Sequence, residues 1–242
     1  MDWKVESGKI LRRFLQILSH NEEVWVFAAR LQFKQGIEFS RTLLLEGLRF
    51  HPKSVIIYRE YFMLELQYLQ MIRDNPDLLN DVQSKDQVQN GKIVQMVFMK
   101  AVEDCQQDLF TAELLGLSQR FPKLFQNLRK YLLDDHGSKL STWTILITIE
   151  LYPKFKDQRS AIEKLKDCYE LMDESMEHLS ATSEKCKMLH HNLSLLEEIG
   201  EQNTELTGIS ADLVLKLLNR GKKLEILNSD VSNLLDDIEN KP

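Results

Sequence analysis

Glycine and proline are scarce in this chain, 9 and 5 in 242 residues, and cysteine is scarcer still at 3. So few breakers exclude a loop-rich or low-complexity chain. Cys105, Cys168 and Cys186 are odd in number and far apart. That spacing fits neither a disulfide framework nor a metal knuckle, and a reducing intracellular compartment is the expectation. No apolar run reaches the roughly 18 residues of a membrane-crossing helix, and Met1–Glu6 hold no apolar signal-peptide core. An excess of positive charge is missing too. Residues 1–153 balance, 19 basic against 19 acidic, whereas residues 154–242 hold 12 basic against 18 acidic, which leaves the net charge at −6. A wide grip on nucleic acid rests on neutralising phosphates with Lys and Arg, so protein partners come first.

What is plentiful is helix-forming: 43% of the chain is hydrophobic and 28% charged, with Leu, Lys, Glu and Ile abundant. Apolar residues recur at helical spacing through Ile10–Leu18, Val24–Leu31, Leu43–Leu48 and Val55–Leu69. Pro52 cannot continue a helix and disfavours helical geometry at His51, so the third segment must stop there. Further helices are predicted at 92–105, 108–119, 122–134, 140–151 and 158–180. No β alternation competes.

The helices come in pairs led by aromatics. Trp25 to Tyr58 and Phe110 to Trp143 are each 33 residues apart; Tyr58 to Phe110 is 52, longer by 19. A polar insertion at about 71–90, with Asn75-Pro76-Asp77 and Asn80-Asp81, accounts for the excess. Stacked hairpins of constant length share a core that one hairpin cannot bury alone. The expected fold is all-α, a right-handed α-solenoid of antiparallel helix pairs over residues 1–152. Residues 153–242 are expected to form an acidic helical region that continues or caps the repeats, offers a helix to a partner groove, or stays mobile. There Leu213, Leu217, Leu224, Ile226, Leu227, Val231, Leu234, Leu235 and Ile238 supply apolar positions, with Gly200, Gly208 and Gly221 as breaks.

A 33-residue helical pair led by an aromatic resembles the half-a-tetratricopeptide (HAT) repeat of RNA-processing proteins. The first helix of that repeat has Trp or Tyr, an aromatic three residues on and Glu seven on. Tyr58, Tyr61 and Glu65 match it; Trp143 and Glu150 match with Leu146 between; at Trp25, Ala28 and Gln32 replace the last two. The second helix carries Ala-Arg, then an aromatic, then Pro, where this chain has Ser40-Arg41, Leu44 and Pro52. A narrower resemblance lies in Leu45–Leu66. Arg49-Phe50-His51-Pro52 followed by Tyr58, Glu60, Tyr61, Phe62, Glu65 and Leu66 looks like the U3 small nucleolar RNA-associated protein 6 family, and Val24–Arg30 and Ser141–Trp143 fit it as well. The likeness covers residues 3–152.

That resemblance implies a scaffold subunit of the small-subunit processome, working on U3 small nucleolar RNA and precursor ribosomal RNA in the nucleolus. It implies contacts with protein subunits of a pre-ribosomal particle, indirect RNA contact, and neither membrane nor small-molecule substrate. Family members have more sequence on both sides, so this chain is expected to be a partial sequence, a short isoform or a diverged homologue. Other HAT proteins are scaffolds in splicing or mRNA 3′-end processing, which is the alternative. A helical module acting directly on rRNA is a third reading, which the charge disfavours.

The notable side chains each have two readings. Trp25, Tyr58, Tyr61 and Trp143 are a stacking platform for bases or core knobs, each burying about 150–250 Å²; one recurring helical phase favours core, with Phe110, Glu65 and Glu150 beside them. Arg41, Arg49, His51, Lys53 and Arg59 flank one turn and are candidates for a phosphate or acidic partner. The bland reading pairs them with Glu46 and Glu60, and it is favoured. Cys186, His190 and His191 share a helix but lack a second ligand pair, so no metal is expected. Glu103-Asp104 and Asp134-Asp135 read as solvated helix ends, not acid/base dyads. With no phosphate loop and no Gly-x-Ser-x-Gly elbow, neither an enzyme nor a cofactor is expected.

Overall fold

The computed structural model of the chain describes residues 13–15, 17–75, 91–152, 159–203 and 206–227. Among the described residues the structure is helical with no strand. Asn21 starts α1 (Glu22–Phe33) by accepting from the Glu23 N–H, and acidic Glu22 and Glu23 suit the positive end of the helix dipole. Three residues later α2 (Ile37–Phe50) begins, and it stops at His51 ahead of Pro52, as the sequence predicts. Ser54 caps α3 (Val55–Asp74), its Oγ accepting from the Ile57 N–H at 3.1 Å. The expected insertion at 71–90 is helical through Asp74; residues 76–90 lie outside the described residues.

Next come α4 (Lys92–Cys105), α5 (Asp108–Ser118) and α6 (Pro122–His136). Pro122 suits the first turn of α6, where its missing N–H costs nothing. Then follow α7 (Leu140–Leu151) and α8 (Ala161–His178), whose Ser160 and Glu163 form a capping box. The last two are α9 (Thr182–Gln202) and α10 (Thr207–Lys223).

Gly200, Gly208 and Gly221, expected as breaks, lie inside α9 and α10. Two of them serve close approach. A Cβ on Gly200 would stand 2.4 Å from the Ser210 Oγ, and one on Gly221 would stand 2.7 Å from a Leu189 methyl. These glycines let helices touch. Val231, Leu234, Leu235 and Ile238 lie outside the described residues.

Packing divides the chain into two compact units, residues 1–128 and 129–242. In the first, α1 packs on α2, both pack on α3, and α3 and α4 both pack on α5. Alternate helices α1, α3 and α5 therefore form a row whose gaps α2 and α4 fill. In the second, α7, α8, α9 and α10 each touch their sequence neighbours and the helix after next. Nearest and next-nearest contact is the stacking of helical hairpins in a solenoid. Phe62, Phe98, Leu114 and Leu115 are fully buried in the first unit; Trp143, Ile147, Met172 and Leu196 are in the second.

Candidate interaction surface

Every aromatic and acidic position singled out as repeat core is buried: Trp25, Tyr58, Tyr61, Glu65, Phe110, Trp143 and Glu150. The two tryptophans are held by one device. The Trp25 Nε1–H donates to the Ser19 carbonyl at 3.0 Å, and the Trp143 Nε1–H donates to the Gly137 carbonyl at 2.8 Å, each six residues upstream. Four residues past each tryptophan a carbonyl accepts from the second helix: Ala29 from the Ser40 Oγ at 2.7 Å, Ile147 from the Cys168 Sγ at 3.8 Å. Each second helix also ends on a ring against the indole, Phe50 at 5.4 Å from Trp25 and His178 at 5.5 Å from Trp143. Ser40 with Phe50 and Cys168 with His178 have the same spacing. Burial raises the Cys168 thiol pKa and keeps it protonated as a donor.

Between hairpins the ties are ionic. Arg41 in α2 grips Glu65 in α3 through both oxygens, at 2.7 and 2.8 Å, also meets Glu38, and lies 5.3 Å from the Tyr68 ring centre. Burial opposes the Arg41 charge, but the bonds to Glu65 outweigh it and raise its pKa. Glu65 is 2% exposed, so it must be paired. Burial, with the Glu65 charge nearby, pushes Tyr61 up to about 12. Arg30 in α1 likewise grips Glu60 in α3, at 2.7 and 2.5 Å. Within the α7–α8 hairpin, Glu150 pairs with Arg159, which also holds Asp167.

The structure disperses the five candidate basic residues. Arg41 lies within the α2–α3 seam, and Arg59 reaches Glu113 at 2.7 Å beside the Phe110 ring. His51 is half-buried, its Nε2 on the Ser19 carbonyl at 2.8 Å and its Nδ1 3.8 Å from Glu22. Arg49 and Lys53 remain exposed on either side of the turn. The turn itself is anchored by the Ser54 Oγ–H, which donates to Glu22 at 2.7 Å. Glu60, read as a neighbour for this cluster, is occupied by Arg30 instead.

Asp104 is no solvated helix end. The Tyr58 hydroxyl donates to its carboxylate at 2.5 Å, and Lys100 stands 3.0 Å away. Burial would raise the Asp104 pKa, but those hydrogen bonds, with the Lys100 and Lys53 charges, hold it below the ordinary value. Burial and the bond to Asp104 raise the Tyr58 pKa in turn. Cys186 donates to the Ile226 carbonyl at 3.0 Å, His190 is exposed and His191 is half-buried.

Sequence reasoning missed the Arg30–Glu60 and Tyr58–Asp104 links, whose partners lie 30 and 46 residues apart. The one available signal was an acidic residue two places after the leading aromatic, on a face too apolar to leave it unpaired.

No protein-family model matches the chain. Two curated proteins do match. The U3 small nucleolar RNA-associated protein 6 homolog of Mus musculus is 26% identical over 161 residues, and that of Homo sapiens is 27% identical over 161. The chain is similar to both over more than half of its length. Each alignment covers 61% of this chain and 27% of the relative, so the chain spans a minor part of the length of the U3 small nucleolar RNA-associated protein 6 homologs. Identity at this level across more than half of the chain agrees with the resemblance carried by the Arg49–Leu66 stretch.

Proposed function

We propose that this chain is a non-catalytic scaffold of ribosome biogenesis, a HAT-repeat part of the nucleolar small-subunit processome. It would support maturation of the small-subunit rRNA through protein–protein contacts, with RNA contact secondary. The observation that carries this reading is the similarity to two proteins named for association with U3 small nucleolar RNA. The chemistry of the charged side chains is compatible with it. The buried carboxylates Glu60, Glu65 and Glu150 each face an arginine, and the basic residues near the turn are divided between such pairs and an exposed rim. A net charge of −6 favours protein over RNA as the main contact.

Affinity purification of the tagged chain from nuclear extract, followed by mass spectrometry, tests the proposal. Recovery of processome subunits, with co-sedimentation on pre-ribosomal particles, is the expected result. Recovery of splicing or 3′-end factors instead would transfer the scaffold to mRNA, and a steep salt dependence in filter binding to rRNA would favour a direct RNA role.

A further inference from the structure

The leading helices of three hairpins can be compared position by position. Two and six residues past its aromatic, α3 carries Glu60 and Leu64, each 5% exposed, and α7 carries Ile145 and Ile149, each 6% exposed. In α3 these positions lie on the side against which α1 packs, as the Arg30–Glu60 pair shows. The same positions of α1 are Phe27 and Leu31, which are 55% and 51% exposed. Among the described residues, the face of α1 that should receive a neighbouring helix is therefore apolar and exposed.

Its charge pattern specifies an occupant. At about 100° per residue, Glu23, Arg30 and Lys34 line one edge of Phe27 while Val24 and Leu31 line the other. Lys34 keeps helical backbone angles as the cap residue and so stays in register. A two-fold axis perpendicular to two antiparallel copies of α1 brings the apolar edges together. On the opposite edge it places Glu23 of each copy beside Lys34 of the other. A parallel pair would set apolar edge against charged edge. Only the antiparallel arrangement is self-complementary, as an isologous interface requires.

We propose that the occupant is a second copy of this chain, docked through α1 in an antiparallel two-fold dimer. One helix face is smaller than the roughly 800 Å² per partner of a standard interface, so a reversible, concentration-dependent dimer is expected.

Sedimentation velocity on the full chain from about 1 to 100 µM tests this, with circular dichroism to verify the fold of each variant. The wild type is expected to pass from monomer to dimer. F27D and L31D lie at exposed positions, should keep full helicity, and should weaken the dimer by tenfold or more (on the order of 1.4 kcal/mol). E23K and K34E should each weaken it, and the double variant E23K/K34E should restore it. A wild type that stays monomeric throughout overturns the proposal, and so does a dimer insensitive to F27D and L31D. Failure of the charge reversal to rescue overturns it as well.

Discussion

The two tryptophan-led hairpins, α1–α2 and α7–α8, use one internal design and differ in how they are finished. Both lock the indole N–H to a carbonyl six residues back, and both seat a small side chain of the second helix on the carbonyl four residues on. They diverge at the seventh position. Gln32 in α1 is half-buried, whereas Glu150 in α7 is buried and takes Arg159 from the longer connection before α8. They diverge again on the outer face, exposed in α1 and buried in α7. The core device is a property of the repeat; polar finishing is a property of what lies next to each hairpin.

The largest expected effect is on the shared device itself. Trp143→Ala should lower stability by about 3–5 kcal/mol in urea denaturation, and Trp25→Ala by a similar or slightly smaller amount. A loss at Trp25 under about 1 kcal/mol would break the equivalence of the two hairpins.

Next come the acidic residues seven places after the aromatic. Glu65→Gln leaves Arg41 without its buried partner, and a cost of roughly 3 kcal/mol is expected. Glu150→Gln should cost about 1 kcal/mol, because Arg159 is half in water and keeps Asp167. Equal losses would show that burial of the arginine does not matter.

The second unit also holds a fully buried amide. Asn192 is fully buried, and among the described residues neither end of its amide has a hydrogen-bond partner. Asn192→Leu should therefore stabilise by about 1–2 kcal/mol in thermal unfolding. A destabilised variant would mean that a water satisfies the amide.

The smallest effect is on pH dependence. The Asp104 carboxyl titrates below its ordinary 3.8, so its contribution is present above that pH and fades as pH falls through the lowered value. The Tyr58 hydroxyl titrates above its ordinary 10.0, so its contribution holds through neutral pH and fades only as pH rises past 10. Tyr58→Phe should flatten both limbs of a stability–pH curve.

The helices were legible in the sequence because each buries one face, and that face repeats with the helical period. The end of α2 was legible because Pro52 forbids anything else. Leading aromatics were placed in the core because they share a phase. Gly200 and Gly221 misled, since composition cannot tell a glycine that ends a helix from one that admits a neighbour. The ion pairs were illegible for a different reason. Arg41 and Glu65 were both noticed, but only packing of α2 against α3 decides that one neutralises the other. The same holds for Tyr58 and Asp104, whose elements are separated by residues 76–90.

Stitching of one hairpin to the next by a buried arginine–glutamate pair is the claim on which the stacking rests. A double-mutant cycle with Arg41→Met and Glu65→Leu, read by urea denaturation, measures it directly. The expected coupling is about 2 kcal/mol, with the double variant more stable than either single variant. Losses that add to within about 0.5 kcal/mol would mean that the two side chains do not meet in solution, and would contradict the packing of α2 on α3.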